Sequence, residues 1–449
     1  MSFEPTDLGN ARRLVDAHGH DLRYAPEQGR WYVWDGRRWG VDITGEVNRR
    51  AKAVADELLD EARDSRDEKL FKHAIRSQSN SSLNAAITVA TTEPTVPVLV
   101  DQLDADPWLL TVANGTLDLA AGRLQAHDRG DLITKTSSVE WHPEATCPTF
   151  DAFLERVIPD HDTRRYVQRL AGYSLTGDVA EHCLPILYGH GANGKSTFLE
   201  VMMKLLGEHA APASPNLLVV ERHEQHPTAL ADLAGRRLVV CQEVQAGHRL
   251  DESLVKSLTG GDKLKARYMR QDFWSFTPTH KLWLATNHKP QIRGTDDGIW
   301  RRIKLIPFEI TIPENERDKD LLDHLTEELP GILRWAVQGC IDWQGEGLDT
   351  PTAVTEATAR YRDESDVVAM FVAECCVTGN GFIVRSSELH TAYLQWCTTN
   401  GIKYTLSNKA LVQYFDEKGY DRTENRNHQS MWLGIGLLDN RADENGATP

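Results

Sequence analysis

Residues 189 to 197 read Gly189-His190-Gly191-Ala192-Asn193-Gly194-Lys195-Ser196-Thr197. The pattern GxxxxGK[ST] is complete, with Gly189, Gly194, Lys195 and Ser196 at the required spacing. The flanks agree with it. Leu184 to Tyr188 is a short apolar run that predicts a buried strand, and Thr197 to Leu206 carries apolar residues at helical spacing. A loop between such a strand and helix bends on its glycines, so that backbone N–H groups face phosphate oxygens. The helix adds its positive N-terminal end. Gly189, Gly191, Ala192, Asn193, Gly194, Lys195, Ser196 and Thr197 are therefore the expected contacts to a nucleoside triphosphate, with ATP and Mg²⁺ the expected pair. Lys195 is expected to reach the β and γ phosphates and Ser196 to ligate the metal. A chance glycine-rich turn would satisfy the spacing but not the flanking strand and helix.

Working outward, the next strand signals end in polar residues. Arg237 to Glu243 reads Arg-Leu-Val-Val-Cys-Gln-Glu, a buried strand with Glu243 at its C-terminal end, the edge where open α/β sheets bind ligands. A carboxylate there can hold the Mg²⁺ shell or orient the attacking water; the bland alternative is a surface Glu after a strand. The residue before it is Gln242, where many such sites carry a second acid. His280 to His288 is another apolar strand, ending in Asn287. Its amide can hold the γ-phosphate or the lytic water, or simply close a turn. Asp297 to Phe308 opens a third strand with Arg301 and Arg302. An arginine there suits a finger reaching a neighbouring subunit's nucleotide. Successive side chains point to opposite faces, so one of the two is expected to do this, and Arg302 is favoured over a plain surface pair.

Between these elements lies Gly260-Gly-Asp-Lys-Leu-Lys-Ala-Arg-Tyr-Met-Arg270. Lys263, Lys265 and Arg267 alternate with Leu264, Ala266 and Tyr268, so the cations share one strand face, and the strand runs on to Arg270 and a hairpin tip near Phe273-Trp274. Such a row predicts sequence-independent phosphate contacts, against the alternative of a solvated edge strand kept from aggregating by its charges.

The chain has 449 residues, a formal net charge of −16 and 26% charged residues. That balance excludes a surface coated with nucleic acid, though not a local basic patch. Seven scattered cysteines without a CxxC pair predict free thiols and a reducing cytoplasm. No signal peptide and no membrane-spanning run is expected. Trp31 to Trp39 reads as an aromatic hairpin turning at Asp35-Gly36, either a base-stacking platform or a small β-core stapled by tryptophans.

The expected class is α/β, in five parts: an N-terminal α+β domain (1–150), a P-loop ATPase domain with flanking helices (151–345), a linker (346–365), a winged-helix-like domain (366–438) read as three helices and then two short strands, and a disordered tail (439–449).

The order of these elements resembles superfamily 3 helicases, and most nearly the phage and plasmid primase-helicases that are similar to the poxvirus enzyme. Ala113 to Asp118, Leu258 to Asp262, Ala285 to Pro290, Trp300 to Arg302 and the closing Trp432-Leu-Gly-Ile carry it alongside the loop. The resemblance implies an AAA-like core, a homo-oligomer of hexameric form with ATP sites between subunits, and 3′-to-5′ movement on single-stranded or forked DNA. It also implies Arg302 acting in trans and a pore hairpin from Lys263 to Arg270. The implied setting is the bacterial cytoplasm, for a phage or mobile element. No primase domain is expected in the first 100 residues, so a separate primase or polymerase would be a partner. The same motifs would serve an origin-binding ring that uses ATP as a switch without unwinding, or an ATPase turned to defence or regulation.

Overall fold

The computed structural model describes residues 3–214, 216–220, 227–242, 248–268, 272–292, 294, 297–402, 405–425 and 428–438. Two units form: residues 1–290 with 301–355, and residues 291–300 with 356–449.

The first unit begins with α1 (Asp7–His18), whose first turn is capped by the Thr6 hydroxyl. An antiparallel sheet of β1 (Leu22–Ala25), β2 (Arg30–Trp34) and β3 (Trp39–Val41) follows, then α2 (Glu46–Ser65), α3 (Glu68–Ser77) and α4 (Asn80–Ala90). Trp34 pairs with Trp39 across the hairpin, and Asp35 Oδ1 accepts the N–H groups of Arg37 and Arg38 at 2.9 Å each to close the turn. Trp39 is fully buried and its indole N–H donates to Arg129 O at 2.9 Å. The hairpin is thus a tryptophan-stapled core rather than an open stacking platform.

A second antiparallel sheet, β4 (Leu109–Val112), β5 (Gly115–Asp118) and β6 (Arg123–Gln125), precedes α5 (Pro148–Val157) and α6 (His161–Leu175). Leu110, Val112 and Leu117 sit in one core with Phe150, Leu154, Tyr166 and Leu170. The boundary expected near residue 150 is therefore not a break in packing: apolar strand residues before it bury against helices after it.

The elements that follow are β7 (Leu184–Tyr188), α7 (Lys195–Leu206), β8 (Ala210–Pro212), α8 (Pro227–Ala231), β9 (Leu238–Gln242), α9 (Glu252–Leu258), β10 (Leu264–Ala266), β11 (Trp274–Phe276), β12 (Lys281–Thr286), α10 (Asp297–Trp300), which belongs to the second unit, and β13 (Ile303–Pro307). Five of the strands make a parallel sheet ordered β13-β7-β12-β9-β8. Every residue of β12 is buried, as are the first four of β7 and of β9. Such continuous burial belongs to a parallel sheet covered on both faces. α7 buries Phe198, Leu199, Val201, Met202, Leu205 and Leu206, a stripe worth roughly 1.5–3 kcal/mol for each large side chain. α11 (Leu321–Glu327) and α12 (Leu329–Glu346) complete this core. The architecture is mixed α/β with a parallel sheet of the kind that P-loop cores use.

The stretch 346–365, read from its Thr-Pro-Thr as a linker, is mostly helix: α13 (Thr352–Ser365) buries Val354, Ala357 and Tyr361 at helical spacing. The second unit continues with α14 (Val367–Cys375), β14 (Cys376–Arg385), α15 (Ser386–Thr399), α16 (Asn408–Glu417), β15 (Arg422–Glu424) and β16 (Ser430–Leu437). Its antiparallel sheet runs β14-β16-β15, over a core of Phe371, Leu389, Tyr393, Phe415 and Trp432. β14 is a strand that the sequence reading missed. Gly379 (φ 146°) and Gly381 (φ 98°) break its alternation, and the pairing shifts register between Thr378 and Ile383. The tail 439–449 lies outside the described residues. All seven cysteines are free. Among the described residues, no helix is long and apolar enough to cross a membrane.

Candidate nucleotide site and basic hairpin

Tyr188 ends β7 and pairs with Thr286 of β12, so the register sets Gly189 beside Asn287 at the C-terminal edge of the sheet. The Gly189–Thr197 loop spans from there to α7. It is held from behind by the segment after β13. Asn193 Nδ2 donates to Phe308 O (2.8 Å), Ile312 N donates to Ala192 O (2.8 Å), and Phe308 N donates to Tyr188 O (2.7 Å). Two glycines are sterically required. A Cβ on Gly189 would fall 2.0 Å from Phe308 O, and Gly194 adopts φ +84° with a Val157 methyl 2.7 Å from where its Cβ would stand. Gly191 faces open space on the outer rim. α7 begins without a side-chain cap, and Ser196 is exposed in its first turn. The orphan N–H groups of that turn are left for an external acceptor.

Lys195 is the centre of the site. It is 5% exposed, and its Nζ donates to Gly189 O (2.6 Å), Asn193 Oδ1 (3.0 Å) and Asn287 Oδ1 (3.1 Å). Burial lowers its pKa. Among the described residues every partner of this amine is a neutral oxygen, and no carboxylate is paired with it. A basic group held this way, beside glycine backbone and an uncapped helix start, can take a phosphate in place of its own carbonyls.

The predicted residues separate as follows. Lys195, Asn193 and Asn287 are brought together within hydrogen-bond distance. Gly189, Gly191, Ala192, Gly194, Ser196 and Thr197 form the loop and the start of α7 around them. Glu243 and Arg270 lie outside the described residues; β9 ends at the exposed Gln242. Arg301 and Arg302 stand in the turn before β13 rather than in the strand, and their side chains part, with the favoured Arg302 the inward one. Arg302 is turned inward, 8% exposed, with Nε donating to Thr259 Oγ1 at 3.1 Å, whereas Arg301 is exposed. Sequence reasoning missed Phe308 and Ile312, which act through backbone atoms, and Phe153 and Val157, which back Gly194. No side-chain signal marks a carbonyl.

The basic strand forms a two-stranded hairpin: β10 pairs with β11 in the register Leu264↔Phe276, Lys265↔Ser275, Ala266↔Trp274. Lys263 and Lys265 are exposed and Arg267 half-buried, while Leu264, Ala266, Trp274 and Phe276 are buried. Tyr268 stacks on Trp274 (centroids 6.0 Å apart), and the Arg30 guanidinium covers the Tyr268 ring at 4.1 Å. The hairpin therefore has an inner aromatic face anchored to β2 and an outer cationic face.

A cavity of about 1120 Å³ lies between the β1–β3 sheet and the hairpin, away from the loop. Its basic residues are already engaged. Arg38 bonds Glu208 at 2.6 Å, Lys135 bonds Asp104 at 3.4 Å, and Arg236 donates to Glu208 O. The loop, not this cavity, has the chemistry for an anion.

Three family descriptions match the chain: "D5 N terminal like" over residues 11–159, a family of unknown function over 187–302, and "Poxvirus D5 protein-like" over 363–437. Among curated relatives, "Putative helicase L207/L206" of Acanthamoeba polyphaga mimivirus is 26% identical over 87% of this chain and 45% of its own length. "Putative helicase 022R" of Frog virus 3 is 28% identical over 56% and 28%. "Putative primase C962R" of African swine fever virus is 24% identical over 67% and 34%. The chain thus spans less than half the length of these relatives. The A-form apo structure of the NrS-1 C-terminal region shares the fold, with a TM-score of 0.52 at 10% identity, covering 97% of this chain and 100% of that one. The chain thus carries a D5-like segment toward each end and is similar along most of its length to putative helicases and primases of large DNA viruses.

Proposed function

We propose that the chain is an ATP-driven DNA motor of replication, which hydrolyses ATP in a ring, moves along a strand and separates a duplex. The observation that carries this reading is the buried Lys195 amine, held only by neutral oxygens among the described residues, at the mouth of a glycine loop and an uncapped helix start.

In this reading the loop amides and Lys195 bind the β and γ phosphates, and Lys195 exchanges its carbonyl partners for phosphate oxygens. The Asn287 amide, 3.1 Å from Lys195 Nζ, orients the γ-phosphate or the attacking water. Ser196 and Glu243 would hold Mg²⁺, which supplies charge neutralisation on the phosphates. The interior position of β7 in a five-stranded parallel sheet supports the AAA-like assignment. In this reading the cores form a hexameric ring and the exposed Arg301, rather than the inward Arg302, reaches a neighbouring subunit's nucleotide; the exposure of Arg301 supports this. The outer face of the β10–β11 hairpin grips the phosphate backbone through Lys263, Lys265 and Arg267. In the second unit, a helix–strand–helix–helix–strand–strand order with β16 central supports a winged-helix-like module.

The test is strand separation of a forked DNA duplex with ATP and Mg²⁺, wild type beside Lys195→Ala. Separation by the wild type that is lost in the variant is the expected result. Hydrolysis stimulated by DNA without separation would overturn the motor and leave an ATP-switched initiator ring. Absence of hydrolysis by the wild type would overturn both.

A further inference from the structure

The outer face of the hairpin carries more than cations. In the observed register, paired residue numbers sum to the same value from Leu264↔Phe276 through Ala266↔Trp274; continued one step past the last paired residues, the same register sets Arg267 opposite Phe273. Directly opposed residues in an antiparallel pair share a face. The contact is present: the Arg267 guanidinium stands over the Phe273 ring, 4.8 Å from its centroid. Trp274 and Phe276 turn to the inner face and are 6% exposed each, whereas Phe273 is 57% exposed on the same side as Lys263 and Lys265. A large aromatic ring left in water costs apolar burial that its two neighbours obtain. Here the ring is also held in place on one side by an arginine plane.

We propose that Phe273 is a base-stacking residue: its ring, steadied by Arg267, takes an unpaired nucleobase of a single strand while Lys263 and Lys265 hold the flanking phosphates. Aromatic faces accept any base, so the contact adds affinity without sequence preference. Its signature differs from that of the cations. Phosphate contacts release counterions and set the salt dependence of binding; stacking does not. The inference rests on the hairpin's proposed role as a nucleic-acid grip, and the experiment separates the two.

Binding of labelled oligo(dT) and of an abasic strand of equal length is measured across a salt series, with a non-hydrolysable ATP analogue present. Phe273→Ala is expected to weaken oligo(dT) binding about tenfold at every salt concentration, to leave the salt slope unchanged and to leave abasic binding unchanged, while Phe273→Trp restores it. Lys263→Ala with Lys265→Ala is expected to flatten the salt slope by roughly one to two on both strands. If the lysine variant flattens the slope but Phe273→Ala has no effect, or weakens both strands equally, the stacking assignment is overturned and the grip stands. If the lysine variant leaves the slope unchanged, the grip itself falls, and the stacking assignment with it.

Discussion

The two ends of the parallel sheet bury basic side chains in different ways. At the C-terminal edge, Lys195 borrows one backbone carbonyl and two amide oxygens at the rim of a loop whose Gly191 faces open space. At the opposite edge, Arg237, just before β9, and Lys281, at the start of β12, are enclosed. Arg237 donates to Pro107 O (2.6 Å), Leu109 O (2.8 Å) and Leu175 O (3.0 Å). Lys281 donates to Thr176 O, Asp178 O (3.1 Å) and Thr279 O (3.2 Å). Several of these carbonyls belong to the C-terminal end of α6 and the turn after it, where a helix favours positive charge. Burial lowers the pKa of all three groups, that of Arg237 to about 10. The same desolvation serves two ends. One amine keeps exchangeable partners beside open space, which suits a ligand; the other two hold fixed carbonyls and tie residues 106–109 and α6 to the sheet.

The same kind of substitution at the two ends should therefore have opposite consequences. Lys195→Met is expected to lower ATP hydrolysis by at least about a hundredfold, read as steady-state phosphate release. Its melting temperature should stay close to that of the wild type, because an apolar chain replaces a desolvated amine, and the exposed Asn287 and the open space at Gly191 let water reach the oxygens it leaves. Arg237→Met should cost roughly 3 kcal/mol in urea unfolding, since several buried carbonyls lose their donor together. Lys281→Met should cost roughly 2 kcal/mol by the same measurement. Both should hydrolyse ATP at the wild-type rate per folded molecule. A hydrolysis defect in either without a stability loss would break the division between the ends.

A smaller effect comes from His280, which precedes Lys281. Burial, and then the charge of Lys281, hold its pKa down to about 4 from an ordinary 6.5. The unfolded chain therefore binds a proton in the window where the folded chain does not, and stability falls as pH drops from 6.5 toward 4. The contribution approaches roughly 3 kcal/mol only at the acid limit and is roughly 1 kcal/mol near pH 5.5. His280→Leu should flatten the slope of unfolding free energy against pH over that window. An unchanged slope would remove His280 from the account.

The contrast also explains what could be read from the chain before its fold was known. The loop is local: strand, glycines, lysine and helix stand within 23 consecutive residues, 184 to 206, so spacing alone exposes it. Asn287 was legible because it ends an apolar run, and parallel pairing brings strand ends together. The lower junction was not, because its acceptors are carbonyls of residues 107, 109 and 175, and a carbonyl has no residue signature. The choice between Arg301 and Arg302 turned on which side chain of the turn before β13 meets Thr259, a tertiary fact. β14 escaped because its glycines interrupt the period-two pattern, and α13 because a Thr-Pro-Thr opening hid the spacing of Val354, Ala357 and Tyr361. On the hairpin, the charges drew the eye and Phe273 passed as part of a tip; only the register with β10 assigns it to the cationic face.

The most direct test of the two-ended account sets wild type, Lys195→Met and Lys281→Met side by side, measuring ATP hydrolysis per folded molecule and melting temperature in the same preparations. The account predicts that Lys195→Met melts as the wild type does and fails to hydrolyse, while Lys281→Met melts earlier and hydrolyses normally. Hydrolysis by Lys195→Met at the wild-type rate would contradict it.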